Sequence, residues 1–418
     1  MTLDPVHYDG IASLAERISH DVDPEEHRDV ATQVWEQYLD PLYGQVGPVL
    51  EPIATQARRR AAIDELALQQ DVYDSAHGVD SGTINPTTFK NGLLLDLAQA
   101  AMSATPSSLT LHRDRTYIMT VYSNDATVDH GGDGWTSFDE GHGRAQVVHT
   151  AQLARDQERV VHGLALYLAE SHHALDHADR VEDLLVLDGP LYPKQIAHWL
   201  DRHGTLADLV TEDDLVEEVV KNYLRLVERF VADEVPLVGF VKSPQSQAMI
   251  RALRERGRQT PWASDAAFFA QVLERHEPGG TAGAADRIRD ELTWTSWFRS
   301  RLGADGVFAA EDADVGVDRQ LDADAYGVVF FVIYDPRTDL VYKVELPAAF
   351  AEDEAVRGAV ERWAVGEVAA RRGPPQPIAK ADELARIGGG QKREVVRRLE
   401  RSFETEVDSN YDRERWGE

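Results

Sequence analysis

The sequence contains no cysteine, which excludes disulfides, thiolate metal ligands, iron–sulfur clusters and a cysteine nucleophile from this chain of 418 residues. It also has no run of about 18 apolar residues, so we expect no membrane-spanning helix. The first residues, Met1 to Pro5, lack the basic region and following apolar region of a signal peptide. We therefore predict a cytoplasmic protein without membrane association, and the length allows roughly two or three domains.

Basic residues are scarce: 43 stand against 73 acidic ones, giving a formal charge of −30, and only seven of the 43 are lysine. The acidic clusters are spread along the whole chain. Such a surface suits a halophilic cytoplasm with molar salt, where charges are screened within about 3 Å. An ordinary acidic protein from a GC-rich genome is the alternative. The charge argues against a general nucleic-acid coat protein, but it does not exclude an enzyme with a local nucleic-acid site.

Several common catalytic signatures are also missing. There is no dinucleotide-binding glycine fingerprint and no serine nucleophile elbow, and the glycine-rich stretch 388–392 lacks the spacing of a phosphate-binding loop. His173 and His177 are four residues apart on a predicted helix, which is a zinc-ligand spacing. The general-base glutamate of that motif is absent, and both residues fall opposite the apolar stripe. We therefore interpret them as solvated histidines.

The hydrophobic pattern predicts an α/β protein. Residues 1–74 are predicted to be helical, including a third helix over 53–68. From residue 72, strands alternate with long helices at 151–178 and 215–233, and the buried segments 183–188 and 235–242 are typical of parallel strands. A Gly/Asp-rich loop is predicted at 129–144, mostly helix over 246–303, an acidic linker over 303–325, and strands at 327–334 and 340–346. Helices are predicted at 353–371, 378–387 and 391–405.

Two aspartates at predicted strand ends are the strongest chemical signal. Asp80 is followed by Ser-Gly, and Asp188 by Gly-Pro. Ligands bind at the carboxyl ends of parallel strands, and two converging carboxylates repel each other unless a cation lies between them. Oxygen ligands favour Mg²⁺ or Mn²⁺, and a pair of such ions can hold both oxygens of a phosphodiester displacement. The alternative is that each aspartate only caps the following turn.

A third ligand should come from the helix that precedes Asp188. Because helix and strand run antiparallel, their lengths can be matched. Glu170 lies about 12 Å back from the predicted helix end at 178, at roughly 1.5 Å per residue. The strand from Asp183 to Asp188 spans roughly 17 Å. Glu170 therefore lies near the level of Asp188, whereas Glu158, at about 30 Å, overshoots it. An exposed helix glutamate is the alternative for Glu170.

Five segments in order resemble the NurA family, nucleases of DNA double-strand break repair, from about residue 72 onward. They are Val79-Asp80-Ser81-Gly82, Leu184–Pro190, Val235–Lys242, Val344–Pro347 and Ala381–Ile387. The first departs from the usual Asp-Gly-Ser by exchanging serine and glycine. The second has Pro190 in place of serine. In the last, Asp382 stands where the family usually has a catalytic histidine, and it cannot act as a general acid of histidine-like pKa.

The resemblance implies a ribonuclease H-like mixed sheet with flanking helices, an N-terminal helical arm and a C-terminal helical extension. It implies a ring-shaped homodimer that binds Mn²⁺ and cuts DNA as a 5′–3′ exonuclease and single-strand endonuclease with a HerA-type translocase. Asp80, Glu170 and Asp188 would be the metal ligands, and Lys242 would lie near the scissile phosphate. Asp382 would bind a second metal, with Glu383 as its competitor. The implied domains are 1–74, a catalytic core over 75–245, an insertion over 246–325, and 326–418.

Two arginine clusters could contact the DNA backbone, although solvated helix faces are the alternative for both. They are Arg251, Arg254, Arg256 and Arg258, and Arg393, Arg397, Arg398 and Arg401. Two other functions stay open. One is a non-catalytic subunit that binds the translocase, with Asp382 as the sign of lost activity. The other is a metal-dependent phosphohydrolase acting on small substrates.

Overall fold

A computed structural model describes most of the chain. The described residues are 5–15, 17, 24–45, 47–69, 71–125, 128, 134–150, 157–196, 214–277, 287–301, 304–307 and 317–408. No helix among them is long and apolar enough to cross a membrane.

In the part of the chain that the structure describes, fifteen strands form one sheet. They are β1 (Leu42–Tyr43), β2 (Pro48–Pro52), β3 (Arg58–Ala62), β4 (Ala76–Thr83), β5 (Thr87–Thr88), β6 (Leu94–Thr105), β7 (Arg115–Tyr122), β8 (Thr136–Phe138), β9 (Gly143–His149), β10 (Leu185–Asp188), β11 (Leu237–Val241), β12 (Glu291–Thr295), β13 (Phe298–Ser300), β14 (Val328–Asp335) and β15 (Leu340–Pro347).

Helices flank the sheet. They are α1 (Pro5–Ala15), α2 (Pro24–Tyr38), α3 (Ile63–Ala67), α4 (Leu109–Arg113), α5 (Gln157–Asp176), α6 (Asp214–Ala232), α7 (Ala248–Glu255), α8 (Asp265–Leu273), α9 (Ala304–Val307), α10 (Glu354–Arg371), α11 (Gln376–Ala385) and α12 (Gly389–Ser402). The predicted mixed α/β fold with flanking helices is confirmed.

The centre of the sheet runs in the order β7-β6-β4-β10-β11-β15-β14. Strand β10 is parallel to both of its neighbours, β4 and β11, whereas β6 is antiparallel to β4 and β7. The apolar run Leu184–Leu187 is fully or almost fully buried because helices cover both sides of β10. This explains why that segment shows no polar alternation.

Each face of the central strands packs against a different pair of helices. Leu185 and Leu187 belong to a core with residues of α5 and α6, such as Leu168 and Val219. Val186 belongs to a second core with residues of α10 and α11, including Trp363 and Ile378. Successive side chains of a strand point to opposite faces, so the two cores follow directly from the alternation along β10. Functional side chains can therefore be assigned to one face or the other.

Two predictions of local structure are wrong. The region 1–74 is not helical throughout, because β1 and β2 follow α2, and β3 with the short helix α3 replaces the third predicted helix over 53–68. The second half of the helical region 246–303 contains β12 and β13. Strand β3 pairs with β12, whose residues lie more than 200 positions later in the chain. Such a pairing leaves no local periodicity. The proposed domain boundaries stay a prediction.

Two predicted connecting segments are described only in part. The predicted loop 129–144 contains the short strand β8, while residues 129–133 lie outside the described residues. In the predicted linker 303–325, the structure describes 304–307 and 317–325.

Candidate metal and phosphodiester site

Asp80 lies inside β4 and not at its end, because the strand continues to Thr83. By alternation it shares one face with Gly78 and Gly82. A Cβ added at Gly78 would lie 2.5 Å from the backbone of Pro377, and one at Gly82 would lie 2.5 Å from the carbonyl oxygen of Ala385. The two glycines thus let α11 lie directly along β4. The glycine after Asp80-Ser81 is explained by this contact and not by the predicted turn.

Asp188 ends β10 at the level of Asp80. The parallel register pairs Leu187 with Val79, so the next residues of the two strands are the two aspartates. Lys242 directly follows β11, and its Nζ donates a 2.6 Å hydrogen bond to Asp188 Oδ2. The other oxygen, Asp188 Oδ1, is buried and accepts no hydrogen bond within the described part of the chain. One acceptor in this site is therefore left for a further partner.

Glu170 of α5 lies on the other face of β4 from the Asp80 side chain, next to Ser81. Its Oε1 accepts a 2.6 Å hydrogen bond from Ser81 Oγ, and its Oε2 accepts one of 3.3 Å from the Tyr223 hydroxyl. Ser81 directly follows Asp80, so this hydrogen bond ties Glu170 to the strand that carries Asp80. Glu158 is exposed and lies three to four turns earlier, roughly 18 Å along α5. The charge of Glu170 is near enough to raise the pKa of Asp80, whereas Glu158 lies outside the site.

The electrostatics of the three acids reflect their proximity. Burial raises the pKa of Asp80 to about 9, and the negative charges of Asp188 and Glu170 add to this shift. Burial also raises the pKa of Glu170 to about 7, with a further contribution from Asp188. For Lys242, burial alone would lower the pKa, but the hydrogen bond and the charge of Asp188 raise it overall. The pKa values of Asp80 and Glu170 are raised even though Lys242 is close by, so this lysine alone does not balance the negative charge of the acids.

Asp382 lies at the edge of this site on α11. Its charge, together with that of Asp80, contributes to the raised pKa of Lys242. Its carboxylate forms an ion pair with Arg386 one turn later, and both side chains are well exposed. Glu383, its competitor, is exposed. The structure therefore brings Asp382 near the lysine, without direct hydrogen bonding to the other acids.

The types of residue in the site suit a divalent cation, but their side chains do not form a complete set of metal ligands. Carboxylate oxygens are the ligands that Mg²⁺ and Mn²⁺ prefer, and a cation would relieve the repulsion between Asp80 and Asp188. No group of three or more His, Asp or Glu among the described residues is arranged closely enough to hold a metal as it stands.

A comparison with protein families decides the relationship. The model of the NurA domain matches residues 74–387, which include all the acids above. The chain belongs to the NurA family. The match confirms the resemblance seen in the five sequence segments, and it makes the protein a member of a nuclease family. No curated protein matches the chain.

Solved structures support the fold. The NurA nuclease from Sulfolobus solfataricus is 10% identical with a TM-score of 0.50, and the match covers 96% of this chain and 98% of that one. A NurA structure bound to dAMP and manganese is 10% identical with a TM-score of 0.41 over 96% and 98% of the two chains. A NurA structure with manganese is 9% identical with a TM-score of 0.39 over 78% and 89%. The first likeness shows a NurA fold; the two weaker ones add nothing further.

A buried ion network beside the site is the main feature that the sequence did not indicate. Glu345 of β15 is fully buried and accepts a 2.9 Å hydrogen bond from the Leu191 backbone N–H, and it pairs with Lys194 and Lys343. Both lysines also pair with Asp305. Burial alone would raise the pKa of Glu345, but the two lysines lower it. This network anchors the segment that follows Asp188.

Part of that network could have been found in the sequence. Glu345 lies within one of the segments that resemble the NurA family, in a strand whose neighbours are apolar. Asp305 gave no signal, because it falls in the predicted acidic linker.

The two histidines on α5 are not solvated as predicted. His173 is fully buried, and its Nδ1 lies 3.0 Å from Thr116 Oγ1. His177 is half-buried, with Nε2 at 3.2 Å from Asp114. Burial lowers the pKa of His173. Both residues therefore hold α5 against β7 and the loop before it, away from the acids.

Proposed function

We propose that this chain is a divalent-metal-dependent deoxyribonuclease that resects DNA ends in double-strand break repair. It would use Mn²⁺, with Mg²⁺ as the alternative ion, and act as a 5′–3′ exonuclease and single-strand endonuclease. The observation that carries the proposal is the pair Asp80–Asp188. Two carboxylates sit side by side in a buried site with Lys242 as their only hydrogen-bonded cation among the described residues. Membership of the NurA family supports the same reaction class.

Asp80, Asp188 and Glu170 would hold the metal, with Asp382 as the candidate for a second ion. When bound, the cation would supply an activated water and stabilise the leaving oxygen. Ser81 and Tyr223 fix the carboxylate of Glu170 through hydrogen bonds to both of its oxygens. Once a cation neutralises the acids, the ammonium group of Lys242 would leave Asp188 and orient a phosphate oxygen. Glu345 keeps the segment after Asp188 in place through the Leu191 N–H.

The proposed partners rest on the family resemblance alone. We propose a homodimer and cooperation with a HerA-type hexameric translocase, in the cytoplasm. The ribonuclease H-like label for the core belongs to the same proposal. The central strand order, with β4 between the antiparallel β6 and the parallel β10, is the observation on which that label would be judged.

The experiment is DNA cleavage with increasing Mn²⁺ by the wild type and by Asp80→Asn, Asp188→Asn and Glu158→Gln. The first two variants should lose more than about 100-fold in rate, since even groups that only support a metal ligand are worth 10–100-fold. Glu158→Gln, exposed on the same helix as Glu170, should cut normally. Full cleavage by either aspartate variant would contradict the site.

One observation favours a second function. Asp382 replaces the usual histidine and is engaged with Arg386, which suits a non-catalytic subunit that binds a translocase. A wild type that cuts no DNA at any Mn²⁺ concentration, yet associates with a hexameric ATPase, would support that reading. Faster hydrolysis of a short nucleotide than of a DNA strand would instead indicate a phosphohydrolase of small substrates.

A further inference from the structure

A groove lies beside the acids on the same side of the sheet. It is lined by Leu97, Gln99, Tyr117, Arg386, Ile387, Gly390, Gln391, Glu394, Val395 and Arg398, and its volume is about 460 Å³. That volume falls within the roughly 300–1,000 Å³ of typical ligand sites. Its floor is β6 and β7, and its wall is formed by the end of α11 and by α12. Neither the sequence motifs nor the proposed metal site account for it.

The register places the groove on the same face of the sheet as Asp80, with the end of α11 between them. Gly82, two residues after Asp80 on the same face, pairs with Gln99, and Gln99 pairs with Tyr117. This row lies roughly 7 Å further along β4 than Asp80, and Tyr117 is two strands, roughly 10 Å, across it. Gln99 also donates to the Ala385 carbonyl oxygen at 3.1 Å and so holds the end of α11 at the groove. A chain molecule that runs from the acids to Tyr117 would therefore pass around the end of α11.

An aromatic pair lies at one side of the groove, with Tyr117 in its lining and Phe138 packed against Tyr117. The rings of Tyr117 and Phe138 have centroids 5.6 Å apart at an angle of 38°, and Phe138 remains 46% exposed. The Phe138 ring is seated on Gly143, where an added Cβ would lie 2.4 Å from it. An exposed aromatic platform held in this way serves stacking more than core packing. Nucleic-acid bases stack on such rings regardless of sequence.

The wall of the groove carries positive charge in an acidic protein. Between residues 386 and 402 there are six basic side chains and two acidic ones, in a chain of formal charge −30. The apolar stripe of α12, including Val395 and Leu399, packs toward Phe89 and Leu95. The arginines of α12 therefore stay exposed. Arg386 and Arg398 pair only with carboxylates one turn away, in exposed ion pairs that are worth little and exchange readily for phosphate.

The other arginine cluster has a different use. Arg254 donates to the Trp262 carbonyl oxygen, and Arg256 and Arg258 lie against the Tyr38 ring at 5.9 and 5.6 Å. The Tyr38 contacts tie the residues just after α7 to α2, and the Trp262 contact ties α7 to the segment that follows it. Three of the four residues of that cluster are thus used within the protein, whereas the cluster on α12 faces the groove and solvent.

From this geometry we propose that the groove binds a single DNA strand. A base stacks on Tyr117 and Phe138, phosphates contact Arg386 and Arg398, and the strand reaches Asp80 and Asp188 around the end of α11. The proposal rests on the proposed nuclease function and names the side chains that hold the strand outside the acids. Duplex DNA is disfavoured because its bases are stacked on each other and not available to Tyr117.

The test is binding of a fluorescently labelled oligothymidine of about 16 nucleotides in EDTA, where no cleavage occurs. Tyr117→Ala should weaken binding about five- to 100-fold, and Phe138→Ala should act in the same direction. Tyr117→Phe keeps the ring and should bind as the wild type does. Tyr43→Ala is the matched control, because Tyr43 is 48% exposed on β1 at the opposite end of the sheet order.

The charged wall is tested by salt dependence. Arg398→Gln should reduce the slope of log K against log salt by about 0.7, the value for one phosphate contact on a single strand. Arg251→Gln, exposed on α7, should leave the slope unchanged. This arm decides the proposal if the Tyr117→Ala protein does not fold. The proposal would be overturned if every groove variant bound DNA with the affinity and salt dependence of the wild type. It would also be overturned if the substitutions changed the oligomeric mass without changing DNA binding.

The groove and the nuclease can fail separately. A wild type that binds the strand through Tyr117 but does not cut it with Mn²⁺ contradicts only the nuclease proposal. A wild type that cuts DNA while Tyr117→Ala and Arg398→Gln bind and cut normally contradicts only the groove.

Discussion

At the scale of single residues, the acids of the site destabilise the metal-free fold. Asp80 has a pKa of about 9 in the folded protein because of burial and the neighbouring carboxylates. An unfolded aspartate titrates near about 3.9. The folded protein therefore binds a proton that the unfolded chain releases. The contribution of Asp80 to stability is complete below about pH 4 and is lost as the pH rises toward about 9.

This difference predicts that Asp80→Asn is more stable than the wild type in EDTA. The gain should grow from about pH 4 to about pH 9 and reach on the order of 1 kcal/mol or more, because asparagine does not ionise. Urea unfolding across this pH range measures it, with the exposed Asp71→Asn as the control. A gain that stays constant with pH would contradict the assigned burial. Added Mn²⁺ should stabilise the wild type and not Asp80→Asn.

Sequence reasoning reached some of these residues and not others, for physical reasons. Asp80 and Asp188 stand out because charged residues are rare beside buried strands, and Glu170 follows from the lengths of a helix and a strand. The network of Glu345, Lys194 and Asp305 joins segments far apart in the chain. Lys194 and Asp305 look like ordinary surface residues in the local sequence, and only the apolar neighbours of Glu345 hint that its charge is buried.

At the scale of elements, the packing of α11 on β4 is the feature most sensitive to substitution. Gly82→Ala would bring a Cβ to 2.5 Å from the Ala385 carbonyl oxygen, which is backbone and cannot rotate away. We predict a loss of about 1–3 kcal/mol in unfolding free energy, as for other overpacked contacts, and displacement of α11 from the site. Gly373→Ala is the control, because no atom lies within 4 Å of its added Cβ.

Thermal or urea unfolding and DNA cleavage measure the two consequences of Gly82→Ala. Equal stability of the two glycine variants would show that α11 does not pack on β4 as described. Unchanged cleavage despite lost stability would show that DNA cleavage does not depend on the position of α11.

The long elements were predictable and the short edge strands were not. The helix α6 and the strands β14 and β15 lie within two residues of their predicted limits. The strands β3 and β13 have five and three residues and depend on partners distant in sequence. All three arginines of β3 are exposed. The spacing of apolar residues over 53–68 resembles that of a helix. Residues 58–62 form a strand only because they are hydrogen-bonded to β12, which is distant in the sequence.

At the scale of the whole molecule, the charge of −30 should make stability depend on salt. Self-repulsion is screened over about 10 Å at 0.1 M salt and about 3 Å at 1 M. We predict that the melting temperature rises with KCl, with most of the rise below about 1 M. A neutral osmolyte series is the control for general exclusion effects. A melting temperature that does not rise would support the ordinary acidic protein over the salt-adapted one.

The same charge bears on how DNA is captured. In molar salt, phosphate contacts weaken and long-range attraction is screened. A strand would then be held by base stacking on Tyr117 and Phe138 and by contacts at the acids, and less by the net charge. This makes the local groove and the metal site the two features on which the account depends.

The most direct test of the central claim is a crystal structure after soaking in Mn²⁺, with an anomalous difference map. The account predicts a peak roughly 2.0–2.3 Å from oxygens of Asp80 and Asp188, with Glu170 turned toward it and Lys242 released from Asp188. A peak held by other residues, or none at a Mn²⁺ concentration that supports DNA cleavage, would contradict it.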